Sequence, residues 1–182
     1  MQWDADAGPE IVLPARRLTA PAVVDLARRA ESLGWTGVWV SEVLSLDAAT
    51  VLGAIAVSTT RVRVGASILP VTTRSAALLA MTASTVTQLA PGRTAFGLGV
   101  STPGIVADRH DRAVTRPVAQ TIGTLDVVRR ALRGETVTRA ADPAVTDLRI
   151  DPVPAEPPPV LLGAFGPRMT HVAHTHADGL IL

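Results

Sequence analysis

Two kinds of hydrophobic spacing alternate along this chain, and few folds accept that pattern. Short apolar runs recur at Ile11–Pro14, Gly37–Ser41, Val62–Ile68, Thr94–Gly99, Val160–Ala164 and Gly179–Leu182. Longer stretches with helical spacing separate most of them: Pro21–Leu33, Ala48–Ser58, Ser75–Leu89, Pro117–Leu132 and Pro167–Thr175. The boundaries carry helix punctuation. Pro21 sits near one start and Gly34 marks its stop. Asp47 is the expected N-cap of 48–58, Pro91-Gly92 ends the third helix and Gly134 the fourth. Strand then helix, repeated at roughly 25–35 residues, means βαβ units and a parallel sheet. The nearly unbroken apolar strands, about six of them, fit a sheet covered on both faces. Periodicity alone leaves an open doubly wound sheet and a barrel equally open.

Two stretches depart from the rhythm. Residues 100–116 read as a polar loop. Residues 134–158 are polar and proline-rich, with Asp142-Pro143, Asp151-Pro152 and Pro157-Pro-Pro159. They read as a long excursion with a short strand near Leu148–Ile150, inside one domain spanning 1–182.

Composition removes several function classes. At 182 residues, 47% hydrophobic and 18% charged, the chain is long enough for one good core. The net charge is +1, and basic residues cluster only as pairs such as Arg16-Arg17 and Arg28-Arg29, so no nucleic-acid partner is expected. Without cysteine there is no disulfide, thiolate nucleophile or Cys-zinc site. All 17 basic residues are arginine, which excludes lysine Schiff bases and a P-loop lysine. No GxSxG supports a serine hydrolase. No apolar run approaches a membrane span, and the first residues lack the apolar core of a signal peptide, so a cytoplasmic location is expected.

Two glycine-bearing turns carry the chemistry. Thr94-Ala-Phe-Gly-Leu-Gly-Val-Ser-Thr-Pro103 ends one strand, and Leu162-Gly-Ala-Phe-Gly-Pro167 joins another to a helix. Glycine lets backbone approach a ligand closely, and helix N-terminal N–H groups favour an anion, so the pair suggests a phosphate-bearing cofactor. Gly97-x-Gly99 is not a dinucleotide fingerprint, because the third glycine is missing. Glu42, at a strand's C-terminal end, is a candidate catalytic carboxylate, with helix capping or salt bridging as its alternative. His110 is a second candidate, with a loop-anchoring hydrogen bond as its alternative. His171, His174, His176 and Asp178 read as a solvated helix end, and no metal is expected. Trp3, Trp35 and Trp39 read as core or interface, Trp39 pointing into a packed layer. Gly163-Ala164 serves either close packing or ligand contact.

The chain resembles the luciferase-like monooxygenases, the flavin- and deazaflavin-dependent (β/α)8 oxidoreductases. The resemblance rests on five stretches in family order: Ala30–Glu42, Ser58–Gly65, Leu89–Gly99, Pro158–Met169 and Ala177–Leu182. It implies an α/β fold of the parallel (β/α) TIM-barrel type, incomplete here at about six of eight βα units. Ser101–Val106, His110 and Arg116-Pro117 resemble the branch assigned to coenzyme F-420. By position, the resemblance puts a non-prolyl cis peptide and a bulge against the cofactor ring at Ser67-Ile68. It puts Gly99, Val100, Ser101 and Thr102 at the cofactor tail, and Phe165, Gly166, Arg168 and Met169 at the phosphate.

The implied function is hydride transfer from reduced coenzyme F-420 to a small organic substrate, or O2 activation by reduced FMN. Glu42 or His110 would be the proton partner, and a homodimer through early helices is expected. Two departures stand out. Val43 occupies the position of a family histidine, and family members run at least two βα units beyond the Ala177-Asp-Gly run. The alternatives are a non-catalytic truncated remnant that keeps cofactor affinity, or a phosphate-binding barrel lyase or isomerase.

Overall fold

The computed structural model describes residues 8–14, 16–43 and 45–182; Trp3 lies outside them. Six strands form one sheet: β1 (Glu10–Leu13), β2 (Gly37–Val40), β3 (Arg63–Pro70), β4 (Thr94–Gly99), β7 (Val160–Gly163) and β8 (Gly179–Ile181). Their spatial order is β1-β2-β3-β4-β7-β8, and every pairing is parallel. Connections that never reverse direction across the sheet curve it into a half-barrel with its helices outside. The helices are α1 (Ala20–Ser32), α2 (Ala48–Ser58), α3 (Ala76–Leu89), α4 (Pro103–His110), α5 (Pro117–Leu132) and α6 (Pro167–His176).

Local chemistry sets these boundaries. The side chains of Thr19, Asp47 and Ser75 cap the N-termini of α1, α2 and α3 by accepting from the backbone N–H of Ala22, Thr50 and Leu78. Gly34 adopts a left-handed φ of 86° one residue past the C-cap of α1. Glu31 reaches from α1 to accept three backbone N–H bonds, from Thr60, Arg61 and Val62. Arg93 donates to the carbonyl groups of Ala56, Thr59 and Val62, closing the end of α2.

Strand alternation divides the interior in two. Val38, Val40, Phe96, Leu98, Val160 and Leu162 face the helices and join the main core. Trp39, Ala95 and Leu161 form a smaller cluster on the concave face, against Ile181. Trp39 thus points into a packed layer, as expected, and its ring fills the space that a side chain at Gly65 would need. Its Nε1–H donates to Glu10, which also pairs with Arg63 at 2.5 Å.

The structure corrects two readings. Residues 100–116 are not a continuous polar loop, because α4 occupies 103–110. Pro103 takes a first-turn position, where its missing N–H costs nothing. The excursion after Gly134 holds an antiparallel hairpin of β5 (Val137–Arg139) and β6 (Val145–Leu148), so its strand lies earlier than Leu148–Ile150. That hairpin stays outside the main sheet.

Candidate functional site

The C-terminal ends of β3, β4 and β7 surround a cleft of about 470 Å³. Its walls are Ser67, Ile68, Gly99, Val100, Ser101, Thr102, Phe165 and Met169, with Ala164 and Ile181. Eight of the ten residues singled out in the sequence for cofactor contact therefore share one cavity. Gly166 and Arg168 stand behind its lip, at the start of α6.

The floor is the irregular end of β3. Pairing with β4 slips between Ala66 and Leu69, and the Ser67-Ile68 peptide is cis, at the position the resemblance indicated. Small residues make room for Ile68. A Cβ on Gly163 would come within 2.8 Å of its Cγ2, so this glycine packs closely against Ile68, and it lines the cleft as well.

The two side walls are helix beginnings without side-chain caps. Thr102 is the N-cap of α4, and its hydroxyl accepts no capping bond; Gly166, at φ 77°, is the N-cap of α6 and has no side chain to accept one. The first N–H groups of a helix have no intrahelical acceptor, and the peptide dipoles add partial positive charge there. The earlier helices α1, α2 and α3 satisfy one such group with an N-cap side chain; α4, α5 and α6 do not, and of these three only α4 and α6 begin at the cleft. Arg168 is exposed on the first turn of α6 and makes no ion pair among the described residues.

Hydrogen bonds that the sequence did not reveal hold the rim. Ser41 donates its hydroxyl to the Ser67 carbonyl at 2.6 Å, and the backbone N–H of Glu42 donates to the Ile68 carbonyl. Thr72 donates to the Val100 carbonyl at 2.7 Å, and Gln120 to the Val71 carbonyl. Only the position of Ser41 and Thr72 just past strand ends could have drawn attention to them.

The two proton-partner candidates sit apart from the cleft. Arg74 donates to both Glu42 oxygens, at 2.8 and 2.6 Å, and Ala48 donates its backbone N–H to Glu42 as well. That is the capping and salt-bridging arrangement named as its alternative. Arg74 also pairs with Asp47. The bonds to Glu42, together with both carboxylate charges, outweigh burial and raise the Arg74 pKa above the ordinary arginine value. Burial disfavours the Asp47 anion, but the hydroxyl and N–H of Thr50 and the Arg74 charge outweigh it, and the pKa falls. His110 ends α4 exposed to solvent, away from the cleft lining. Asp178 pairs with Arg129 and accepts from the Val160 N–H.

A parallel half-barrel with a cleft at the C-terminal ends of its strands is an α/β protein of the barrel type. The chain belongs to the luciferase-like monooxygenase family, whose model matches residues 6–182. A protein of Mycobacterium tuberculosis assigned as a coenzyme F420-dependent oxidoreductase is 32% identical over 175 residues, covering 85% of this chain and 49% of that protein. The chain spans about half the length of the curated relatives it matches. An F420-dependent secondary alcohol dehydrogenase, solved with an F420-acetone adduct, superposes with a TM-score of 0.88. It is 22% identical, with 99% of this chain and 58% of that one covered. A type II Baeyer-Villiger monooxygenase of Pseudomonas putida, solved with FMN, superposes at 0.79 and is 15% identical, covering 97% of this chain and 57% of that one. These likenesses establish the barrel-type fold. No helix among the described residues is long and apolar enough to cross a membrane.

Proposed function

We propose that this chain binds reduced coenzyme F-420, with FMN as the alternative, in the cleft at the ends of β3, β4 and β7, as part of an oxidoreductase. The observation that carries this reading is the pair of uncapped helix starts on either side of one cleft. A ligand with a flat ring system and an anionic tail satisfies both walls. Ile68 and Ser67 support the ring, the backbone of Gly99–Thr102 follows the tail, and the start of α6 with Arg168 takes the phosphate. Met169 lines that side, with Phe165 exposed at the mouth. Bound there, the cofactor supplies hydride to a small organic substrate in the deazaflavin case, or electrons that activate O2 in the flavin case.

The chain's own contribution is orientation and electrostatics. Glu42 and Arg74 fix the loop after β2, whose Ser41 holds the cleft floor. Arg74 engages both Glu42 oxygens and His110 stands at the far end of α4 from the cleft wall, so either proton-partner candidate has to move to reach the cofactor position. A dimer fits the outer surface. Helices α2 and α3 contain no charged residue, yet Val57, Leu78, Met81 and Leu89 are exposed on them. Uncharged helices with large apolar side chains exposed on their outer face are normally covered, here by a second copy.

The test is a fluorescence titration of the purified chain with F-420 and, separately, FMN. Micromolar saturation by one of them supports the reading and selects the cofactor. Folded protein that binds neither overturns it.

A further inference from the structure

A second cleft, of about 420 Å³, opens at the ends of β1 and β2. Its volume falls in the roughly 300–1,000 Å³ span of small-molecule pockets. The lining is Val12, Leu13, Pro14, Arg16, Ser41, Val43 and Ser45. Four of these are hydrocarbon surfaces, and Val12 and Val43 are each 53% exposed, an unusual state for valine beside a sheet. Among the described residues Arg16 is the single charged group in the lining. It is exposed and makes no ion pair among the described residues. Among the described residues no acidic side chain lines the cleft to compete for it; the nearest carboxylate in sequence to Val43, Glu42, is held by Arg74.

This cleft adjoins the proposed cofactor cleft. Ser41 lines the first, Ser67 lines the second, and the Ser41 hydroxyl donates to the Ser67 carbonyl at 2.6 Å. One hydrogen-bonded pair is therefore a shared wall. The hollow of the half-barrel shares Val12 with one cleft and Ser67 with the other; its two carboxylates, Glu10 and Asp178, are paired with Arg63 and Arg129. A molecule lodged between Val12 and Val43 lies beside the cofactor position and not over its phosphate end.

We propose that the cleft at β1 and β2 is the substrate site, and that its ligand is an amphipathic carboxylate: a hydrocarbon body with one anionic head. The two exposed valines and Pro14 take the body, with the buried Leu13 beneath them. Arg16 at the rim takes the carboxylate, and a guanidinium suits that planar anion because it donates two parallel bonds. A neutral or cationic head leaves Arg16 without a partner or repels it. This inference names the substrate class of the site read above as an oxidoreductase, and rests on that reading for its catalytic meaning alone.

The probes are octanoate, 1-octanol and octylamine, titrated calorimetrically into the full chain, alone and with saturating F-420. Octanoate is expected to bind about tenfold more tightly than the other two, the worth of one charge-assisted contact. Arg16→Gln should erase that preference, and Arg149→Gln, an exposed arginine elsewhere, should keep it. Both variants should bind F-420 as the parent does. Octanol binding as tightly as octanoate, no octanoate binding, or a preference that survives Arg16→Gln each overturns the proposal. The cofactor titration separates the two readings. A chain that binds octanoate through Arg16 but neither cofactor keeps the carboxylate site and loses the oxidoreductase reading. Cofactor binding without octanoate binding does the reverse.

Discussion

Replacing Arg74 by leucine should unlock the loop after β2. The guanidinium is 11% exposed and the Glu42 side chain 17%. Arg74 makes two bonds to Glu42, at 2.8 and 2.6 Å, and a further contact to Asp47. Removing one partner of a buried pair costs ~3–5 kcal/mol, because the surviving charge is stranded. Two features reduce that figure here. Some solvent reaches both groups, and Glu42 keeps the Ala48 N–H as a donor at 3.1 Å. A loss of about 2–4 kcal/mol at neutral pH follows. At roughly 2–4 °C per kcal/mol for a chain of this size, Tm should fall by about 5–15 °C. Urea denaturation gives the free energy and calorimetry the midpoint. Adding Glu42→Gln to Arg74→Leu removes the stranded charge and should restore about 1 kcal/mol or more, a non-additivity expected of contacting groups. A loss below about 1 kcal/mol, or a double variant no more stable than Arg74→Leu, would refute the idea that this pair organises the loop.

Three further outcomes follow from the same structure. Ser41→Ala deletes the bond to the Ser67 carbonyl, worth about 1 kcal/mol net; cofactor titration should weaken several-fold and Ser41→Thr should restore it, so unchanged affinity counts against a positioning role. Glu31 accepts three backbone N–H bonds, and these, with the Arg61 charge, outweigh the opposing effect of burial and depress its pKa below 4.5. A depressed carboxylate stabilises the fold above its unfolded pKa, so the stability gap between the parent and Glu31→Gln should be complete at neutral pH. It should shrink as pH falls below about 4.5, and a gap that is flat from pH 7 to pH 3 contradicts this. Met81→Glu, on the uncharged outer face of α3, should turn a dimer into a monomer by light scattering with helix content preserved; a parent chain that is monomeric at high concentration removes the basis for that interface.

What could be read from sequence was local. The helix at 48–58 announced itself through Asp47 as its N-cap, and β4 through an unbroken apolar run ending at Gly99. Helix α4 was missed because Pro103-Gly104 suggests a turn, although proline suits the first helical turn as well. The β5–β6 hairpin was misplaced because its strands are three and four residues long and half exposed, which leaves little periodicity to detect. The cleft was legible for a different reason. Parallel strands bring their C-terminal ends to one rim, so residues 67–68, 99–102 and 163–169 meet whatever separates them in sequence. The anchors were not legible. Arg74 lies 32 residues from Glu42, and Ser41 lies 26 from Ser67, and no spacing rule links such pairs.

The strand order has a consequence for how the chain reaches this shape. Neighbours β1 to β4 pair across about 30 residues or fewer, but Phe96 must find Val160, more than 60 positions away, with the hairpin excursion in between. Closing the longer loop costs only about 0.8 kcal/mol more in chain entropy. Yet contacts distant in sequence form slowly, because that cost precedes the contacts that repay it. The first four strands with α1–α3 are thus expected to acquire amide protection ahead of β7, α6 and β8 in pulse-labelled hydrogen exchange. Since β3 and β4 supply one wall of the cofactor cleft and the β7–α6 turn the other, ligand affinity should emerge only at the closing step of folding.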